Sequence, residues 1–400
     1  MTAHPGFPSA APDTVLDRIA AMKDEIAAAG DEAQRLRHLP TWLVDKLHGA
    51  GLMRVCMPTK YGGEALDPMR TVEAIEAVSA IDGSVGWNFM IGSETNALAA
   101  QCMPEPLASQ VFGTAAPWPK QIFCGSAGPI GKAVLDGDGV RVTGQWGFAS
   151  GSHQATWFFA STLQWDGDQP AKNEAGGPIV RTYMLSFDGE VEIVDTWDTS
   201  AIRGSGSNDV RATNARVPAE RLGAMLGGPV LFDDAVFRFP QGAKIAYNKA
   251  GVGLGISRGA LDAFVDFAAN KKPMLFQQPL RERPIALFQY TEALATYRAA
   301  RAFLMEELRE AMCELEGSKT LSLERTASVR LACNHAAAST VRTLDLLVSA
   351  SGTSAAKMDN PLERRARDAH APQSHMFTAP ALNEAVGRVL LGASVAPGAV

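Results

Sequence analysis

The apolar pattern of the chain changes its period twice, and these changes divide the 400 residues into three regions. From Thr14 to about Pro117, apolar residues recur every three or four positions, as in amphipathic helices. Short β-branched and aromatic runs then alternate with Gly, Asp and Asn. Helical periodicity returns over 241–269, 284–316 and 321–350. The pattern predicts an α+β protein, mostly α, with an N-terminal helical domain at 1–119, a middle β domain at 120–228 and a C-terminal helical domain at 229–400.

Composition narrows the class of partner. A content of 46% apolar and 20% charged residues can bury a large core without disulfides or metal. The net charge of -6 argues against binding of nucleic acid or an anionic membrane, because either needs clustered Lys and Arg. We therefore expect a small-molecule partner. The long Ala-rich helices also predict a homo-oligomer.

Cysteine usage and the N-terminus suggest where the protein resides. The five cysteines are far apart and form no CxxC pair, so no metal site is predicted. The N-terminal sequence MTAHPGFPSAAPDT lacks the basic flank and apolar run of a signal peptide, and no apolar stretch reaches the ~20 residues of a membrane span. A cytoplasmic protein without a membrane span is expected.

Seven local strings resemble, in the same order, those of the acyl-CoA dehydrogenase superfamily. They are LPTWLVDKLHGAGLMRVCMPTKYGG (39–63), IDGSVGW (81–87), WGFASG (146–151), IRGSGSNDVRATNARVP (202–218), GISRGALDAF (255–264), the RxRPxxxFQ stretch ending at Gln289, and NPLERRARDAHA (360–371). The resemblance implies a helical domain, a β barrel and a four-helix bundle, usually assembled as a tetramer. It also implies a flavin bound between barrel and bundle, where a domain interface offers a flat apolar slot.

The carboxylate base of the dehydrogenases is absent from its usual places. In that family a Glu lies eight residues beyond the Asp of the RxxRD element, and the matching residue after Asp368 is Met376. The alternative site on an earlier helix is also empty, because 235–261 contains no Asp or Glu. The GVGLG string at 251–255 follows no predicted strand and indicates close helix packing rather than a nicotinamide fingerprint.

The chain is instead similar to another branch of the superfamily, the two-component flavin monooxygenases. That branch carries a WxFxSG strand, matched here by Trp146, Phe148 and Ser150, followed by His153 and Trp157. The resemblance implies an oxygenase that receives FMNH2 or FADH2 from a separate NAD(P)H flavin reductase. It would react with O2 through a flavin C4a-hydroperoxide and hydroxylate a small phenolic or indole-type aromatic substrate. The choice between FMN and FAD stays open.

The resemblance also assigns roles to individual residues. Ser150 would hydrogen-bond the flavin near N5, and His375 would face the substrate as acid or base, which suits a group whose ordinary pKa lies near neutrality. Predicted cofactor contacts are Cys124, Gly125, Ser126, Phe148, Ala149, Ser150, Arg283 and Gln289. Predicted substrate contacts are Trp87, Asn88, Phe89, His153 and His375.

Several alternatives stay open at this point. Arg281 could replace Arg283 at the flavin tail, and His370 or His153 could replace His375. An acyl-CoA dehydrogenase or flavin oxidase with a base from an unexpected position is the second hypothesis. It is weakened because CGSAGPIGKA at 124–133 lacks the acidic residues of the dehydrogenase TEPxAGSD loop. A catalytically silent flavin-binding scaffold is the third.

Overall fold

A computed structural model describes residues 14–223, 231–274, 276–396, 398 and 400. The N-terminal sequence and the domain boundary predicted at 228 lie outside these ranges. The N-terminal region is helical, as predicted from its periodicity. Its helices are α1 (Val15–Ala21), α2 (Lys23–Leu36), α3 (Thr41–Gly49), α4 (Pro68–Ile81), α5 (Gly83–Cys102) and α6 (Glu105–Phe112).

Helix α5 passes through the interior of the molecule. The Asp82 side chain begins it by accepting hydrogen bonds from the backbone N–H groups of Ser84 and Val85. Its apolar residues point in all directions around the axis, and a helix of that kind must be covered on every side. Almost every residue of α5 is buried, so the few that keep accessible surface mark an opening beside the helix.

The middle region forms a single curled sheet. Its strands are β1 (Phe123–Asp136), β2 (Gly139–Trp146), β3 (Trp157–Asp166), β4 (Gln169–Pro170), β5 (Val180–Ser186), β6 (Glu192–Val194), β7 (Asp209–Pro218) and β8 (Leu222–Gly223). The strand order is β6-β7-β2-β1-β3-β5-β8, with β4 beside β3. Strands β1 and β3 run parallel, and the other neighbours are antiparallel. Strand β1 pairs with β2 only from Lys132 to Asp136, so the two strands diverge before Lys132.

The C-terminal region contains the three long helices that the periodicity predicts. Its helices are α7 (Ala235–Arg238), α8 (Gln241–Asn270), α9 (Pro284–Gly317), α10 (Leu323–Ser351), α11 (Glu363–Asp368), α12 (His370–Ser374) and α13 (Asn383–Leu390). Glycines of α8 allow it to lie directly on α4. A Cβ on Gly259 would stand 2.1 Å from the backbone oxygen of Ala80, and one on Gly255 would stand 2.5 Å from the Cβ of Ser79. The prediction of close helix packing at GVGLG is confirmed.

The three regions meet at Asp368. Its carboxylate accepts a hydrogen bond from the backbone N–H of Ile202 at 2.6 Å, which ties α11 to the loop before β7. Burial, together with the nearby charge of Asp82, raises the pKa of Asp368 to about 7. This junction holds the 203–207 loop against α5. In the described part of the chain, no helix is both long enough and apolar enough to cross a membrane.

Candidate active site

A chain of hydroxyl groups lies where the sheet meets α5. The indole N–H of Trp87 donates to the Ser150 hydroxyl at 3.0 Å. The Ser150 hydroxyl lies 2.7 Å from that of Ser207, which lies 2.7 Å from that of Ser205. All three serines are buried. Sequence reasoning identified Trp87 and Ser150 but missed Ser205 and Ser207, although the RGSGS string at 203–207 carried the signal.

One arrangement of the hydroxyl protons leaves the Ser150 proton free for a ligand. A serine hydroxyl has one proton and two lone pairs, whereas an indole nitrogen can only donate. When Ser205 donates to Ser207 and Ser207 donates to Ser150, the Ser150 oxygen accepts from both Ser207 and Trp87. Its own proton then has no protein acceptor and can be donated to a group placed beside it.

The peptide after β2 is shaped by its neighbours on β7. Phe148 has a φ of 59°, a left-handed conformation that a non-glycine residue adopts only when held there. The Ala149 N–H donates to the Asn208 carbonyl at 3.1 Å, and the Ser150 N–H donates to the Phe148 carbonyl at 2.9 Å. The Phe148 ring is 78% exposed and meets Trp197 edge-on at 6.2 Å. A large exposed aromatic in a held conformation can form one wall of a slot for a flat ring.

The other candidate wall is the start of β1. Residues Phe123–Ser126 pair with β3 on one side, and on the other side Asn96 and Thr95 of α5 bind the backbone of Phe123. The Cys124 side chain is buried in the sheet core, and burial raises the pKa of its thiol well above its usual range. It therefore offers backbone groups only, as do Gly125 and the backbone of Ser126, both half-buried.

These walls fit an isoalloxazine ring. The half-buried backbone of Gly125 and Ser126, an exposed aromatic residue and the Ser150 hydroxyl could provide the apolar surface and the few hydrogen bonds that such a ring needs. The predicted contacts Cys124, Gly125, Ser126, Phe148 and Ser150 stay candidates for the lining of this slot, and Ala149 is buried between the last two. Among the described residues, no group of three His, Cys, Asp or Glu side chains is placed to hold a metal ion.

His375 lies at the same end of α5. Its ring is half-buried and meets Trp87 edge-on, with 5.8 Å between ring centroids. Burial and the positive charges of Lys249 and Arg330 lower its pKa to about 3, so the imidazole is neutral at physiological pH. Its Nδ1 accepts the backbone N–H of Phe377 at 3.3 Å, which leaves the proton on Nε2. In this tautomer His375 is a hydrogen-bond donor.

Two further predicted residues on α5 have structural partners. The Asn88 amide donates to the carbonyl of Gly204 at 3.1 Å and so fixes the hydroxyl-bearing loop. Its Oδ1 atom is buried and accepts no hydrogen bond from the described residues. Phe89 packs in the core of the N-terminal helices. Successive residues of a helix point 100° apart, so Phe89 faces away from the side that Trp87 occupies.

His153 lies in a separate cluster. Its ring stacks on His38 at 4.0 Å, and its Nε2 is 3.1 Å from the amide nitrogen of Asn208. Burial, reinforced by His38, lowers the pKa of His153 to about 4. Its contacts within the described chain are therefore at the junction of α2–α3 with the sheet, and they do not include His375.

The residues predicted for the flavin tail lie at the start of α9. The Gln289 amide donates to Ser349 at 2.8 Å, and the Arg283 guanidinium lies over the Phe276 ring at 3.4 Å. Neither side chain has a contact with Ser150 in the described part of the chain. Arg281 is exposed. Their role at the flavin stays a prediction.

A buried ion pair joins α5 to α8 next to this site. The Lys249 ammonium contacts one Glu94 oxygen at 2.6 Å, and the Asn248 amide donates to the other at 2.7 Å. The Lys249 side chain is 1% exposed. These residues were missed because Glu94 and Lys249 are far apart in sequence. Only the antiparallel register of α5 and α8 brings them together, and it also places Gln241 beside Gln101.

Comparison with known families identifies both helical regions. The model of the acyl-CoA dehydrogenase N-terminal domain matches residues 17–103. The model of the acyl-CoA dehydrogenase C-terminal domain matches residues 247–380. Together these segments cover more than half of the chain.

Similar curated proteins are oxygenases by name. Indole-3-acetate monooxygenase of Pseudomonas putida is 28% identical over 92% of this chain and 91% of its own length. Indole-3-acetate monooxygenase of Acinetobacter baumannii is 26% identical over 97% of each chain. The oxygenase component of FADH2-dependent resorcinol hydroxylase from a Rhizobium species is 25% identical over 94% of each.

Solved structures show the same fold. The HsaA monooxygenase of M. tuberculosis superimposes with a TM-score of 0.84 at 25% identity, covering 96% of this chain and 99% of its own. XiaF from a Streptomyces species, in complex with FADH2 and glycerol, gives a TM-score of 0.85 at 22% identity and covers 96% of this chain and 96% of its own. The family and the fold class predicted from the sequence are confirmed: the chain belongs to the acyl-CoA dehydrogenase family.

Proposed function

We propose that the chain is the oxygenase component of a two-component flavin monooxygenase. It would take FMNH2 or FADH2 from a separate NAD(P)H-dependent reductase and use O2 to hydroxylate a small aromatic substrate of phenolic or indole type. Relatives of similar length named as monooxygenases support this proposal. The observation that carries it is the pairing of a neutral His375 with the Ser150 hydroxyl chain at one end of α5.

Some of the site residues would contact the cofactor and others would contact the substrate. A reduced flavin, when bound, supplies the two electrons that activate O2 for insertion of one oxygen atom. Ser150 would donate its free proton to the flavin edge, and Trp87 and Ser207 would hold that hydroxyl in place. His375 would donate from Nε2 to an oxygen or ring nitrogen of the substrate and hold the reacting ring over the flavin. The buried surroundings of Ser150 and Trp87 would keep bulk water away.

Dehydrogenation is the second candidate, and Glu94 is the carboxylate that would have to support it. A dehydrogenase base must be free to accept an α-proton from its substrate. Both Glu94 oxygens already accept hydrogen bonds from α8, one from Asn248 and one from Lys249. The side chain nearest Trp87 at the expected base position is an imidazole, and Met376 beside it is exposed. These contacts favour oxygenation.

Assembly belongs to the same proposal. Ile285, Leu287 and Phe288 of α9 are each about half exposed or more, at 55%, 49% and 66%. Adjacent exposed apolar side chains of this size mark a contact surface. A homo-oligomer, by family likeness a tetramer, would cover them and would bring Arg283 and Gln289 to the flavin of a neighbouring subunit. A cytoplasmic location belongs to the same proposal, because a reductase that uses NAD(P)H would be found there.

The proposal is tested by reconstitution with a flavin reductase, NADH, O2 and a panel of phenols and indoles. We expect hydroxylated product from the wild type and about a hundredfold less from His375→Asn, because a positioned proton donor contributes on that order. The ratio of product to hydrogen peroxide is the readout. Thermal melting of the variant controls for folding. Equal product from both proteins would contradict the role of His375, and peroxide alone across the panel would contradict oxygenation.

A further inference from the structure

A narrow cavity lies between α5 and α8, on the far side of the Glu94–Lys249 pair from His375. The cavity itself is about 30 Å³, and together with the open space at its mouth about 380 Å³ is unfilled by protein atoms. Its lining combines apolar side chains with polar groups of both helices. The polar lining residues of the two helices are Glu94, Gln101, Gln241, Lys244, Tyr247 and Asn248.

Lys244 is a buried cation without a counter-ion. Only 9% of its surface is exposed, yet no hydrogen bond or ion pair joins its ammonium to another described residue. The ammonium makes a cation–π contact with Phe237, whose ring centroid lies 5.6 Å from Nζ. Burial lowers the pKa of Lys244 to about 8. A buried charge of this kind is costly to the fold unless something pairs with it.

Tyr247 supplies a second donor on the same face. It lies three residues after Lys244, a spacing that places two side chains side by side on a helix. It is 3% exposed, and its hydroxyl makes no hydrogen bond to the residues that the structure describes. Burial raises its pKa well above the usual value, so the hydroxyl keeps its proton. An ammonium and a phenol with nothing to donate to therefore face one cavity.

Between this cavity and the predicted reaction site, two residues of α5 are partly accessible. Ile91 and Glu94 keep accessible surface in a helix that is otherwise almost entirely buried. With Trp87, Leu98 and Gln101 they form a row spaced by three or four residues, which is one face of a helix. We call the space beside this row the α5–α8 cleft. Trp87 and His375 lie at its inner end, and Lys244 and Tyr247 lie at its outer end.

From these contacts we propose that Lys244 and Tyr247 bind the carboxylate of an arylalkanoic acid, which is the substrate. This inference rests on the proposed function, since it assigns the substrate class of that site. A carboxylate accepts from an ammonium and a hydroxyl at once, and the charge-assisted bond is the stronger of the two. The aromatic ring of the acid would lie at the inner end of the cleft, beside Trp87.

The distance between the two ends of the cleft requires a spacer between the aromatic ring and the carboxylate of the ligand. Trp87 is seven residues from Glu94 on α5, and Lys244 is four residues from Asn248 on α8. At a rise of 1.5 Å per residue, the levels of Trp87 and Lys244 are about 16 Å apart, part of which their own side chains span. A benzoic acid is too short to contact both, whereas an aryl group with a chain of several carbons can.

The test is anaerobic calorimetric titration of the full chain, with and without reduced FAD, using indole-3-butyrate and its neutral amide. We expect the wild type to bind the acid about ten- to hundredfold more tightly than the amide, as is typical of one charged hydrogen bond. Lys244→Met should remove this preference, because only the acid gains a charge-assisted bond from the ammonium. Tyr247→Phe should reduce the preference in part. Lys319→Met, at an exposed lysine, is the matched control.

The outcomes separate this inference from the proposed function. Equal affinity for acid and amide in the wild type would overturn the anion site. Acetate that binds as tightly as indole-3-butyrate would also overturn it, because the site would then hold a free anion. A preference for the acid that Lys244→Met abolishes, in a protein that yields only peroxide with O2, would support the anion site and defeat the oxygenase proposal. Melting of Lys244→Met and Lys244→Gln checks that both variants fold.

Discussion

The polar groups at the two ends of the α5–α8 cleft differ in whether they have hydrogen-bond partners within the protein. At the inner end, Trp87, Ser150 and Ser207 bond to one another, and His375 is neutral. At the outer end, a buried ammonium on Lys244 has no hydrogen-bond partner among the described residues. Buried polar groups that hydrogen-bond to one another keep a fixed geometry. A buried polar group without a protein partner can instead be paired by a bound ligand. The difference indicates that the inner end is built before the substrate arrives and the outer end is completed by it.

The Lys249–Glu94 ion pair between these ends offers a comparison. Lys249 lies on the same helix as Lys244 but has a counter-ion. Lys249 and Lys244 are five residues apart and both buried, at 1% and 9% exposure. Lys249 is matched by Glu94, which Asn248 also contacts. We therefore infer that Lys249 stabilises the fold and that Lys244 binds the ligand.

The largest expected effect comes from breaking that pair. Lys249→Met leaves the Glu94 carboxylate buried without its counter-ion, which is expected to lower the free energy of unfolding by about 3–5 kcal/mol. Lys244→Met removes a charge that had no partner and should leave stability unchanged or raise it. Chemical denaturation of both variants and the wild type measures this. Equal destabilisation by the two substitutions would contradict the division between a structural and a ligand-binding lysine.

The inner end is tested through its hydroxyl chain. Ser150→Ala removes the hydroxyl that is proposed to donate to the flavin. It should lower the amount of product formed per O2 consumed about tenfold, and the amount of hydrogen peroxide should rise correspondingly. Ser152→Ala is the control, because Ser152 is equally buried but bonds only to the Gly206 carbonyl. Product and peroxide are quantified in the same reaction. A similar loss in both variants would assign Ser150 to folding alone.

The smallest effect expected is a pH dependence at the outer end. Because the pKa of Lys244 is lowered to about 8, its charge and the affinity for an acid are present below that pH and lost as the pH rises through it. Cys56 and Tyr247 also face this ammonium, but burial raises the pKa of each, to about 11 for Cys56, so neither becomes charged first. Glu94 faces it too and is held by Lys249.

Titrations of indole-3-butyrate between about pH 7 and 10 measure that dependence, and Lys244→Arg, which keeps its charge, should give a flat profile. An unchanged wild-type affinity across this range would show that the Lys244 charge does not bind the acid.

Most of the fold followed from local patterns. Pro284 begins α9 at its first residue, and the apolar period delimits α8, α9 and α10 within two residues of the predicted spans. The GVGLG string in α8 indicated close helix packing, and the structure identifies α4 as the partner. The parallel pairing of β1 with β3 and the divergence of β1 from β2 had no such local signal, because each depends on strands distant in sequence.

The site was predictable only where a motif carried it. Ser150 and His375 were found through family strings, and the structure brings both to Trp87. Lys244 and Tyr247 were missed because each sits in an ordinary helical pattern, and their missing partners become visible only when the surrounding residues are placed. Roles for Arg283 and Gln289 stay predictions, since a single chain does not bring them to the slot.

The most direct measurement of the account is a single turnover of the chain loaded with reduced FAD, an arylalkanoic acid and O2 enriched in heavy oxygen, followed by mass spectrometry. The account predicts a product that carries one heavy oxygen atom on its aromatic ring. Complete recovery of unlabelled acid, with every O2 converted to hydrogen peroxide while the acid is bound, would contradict it.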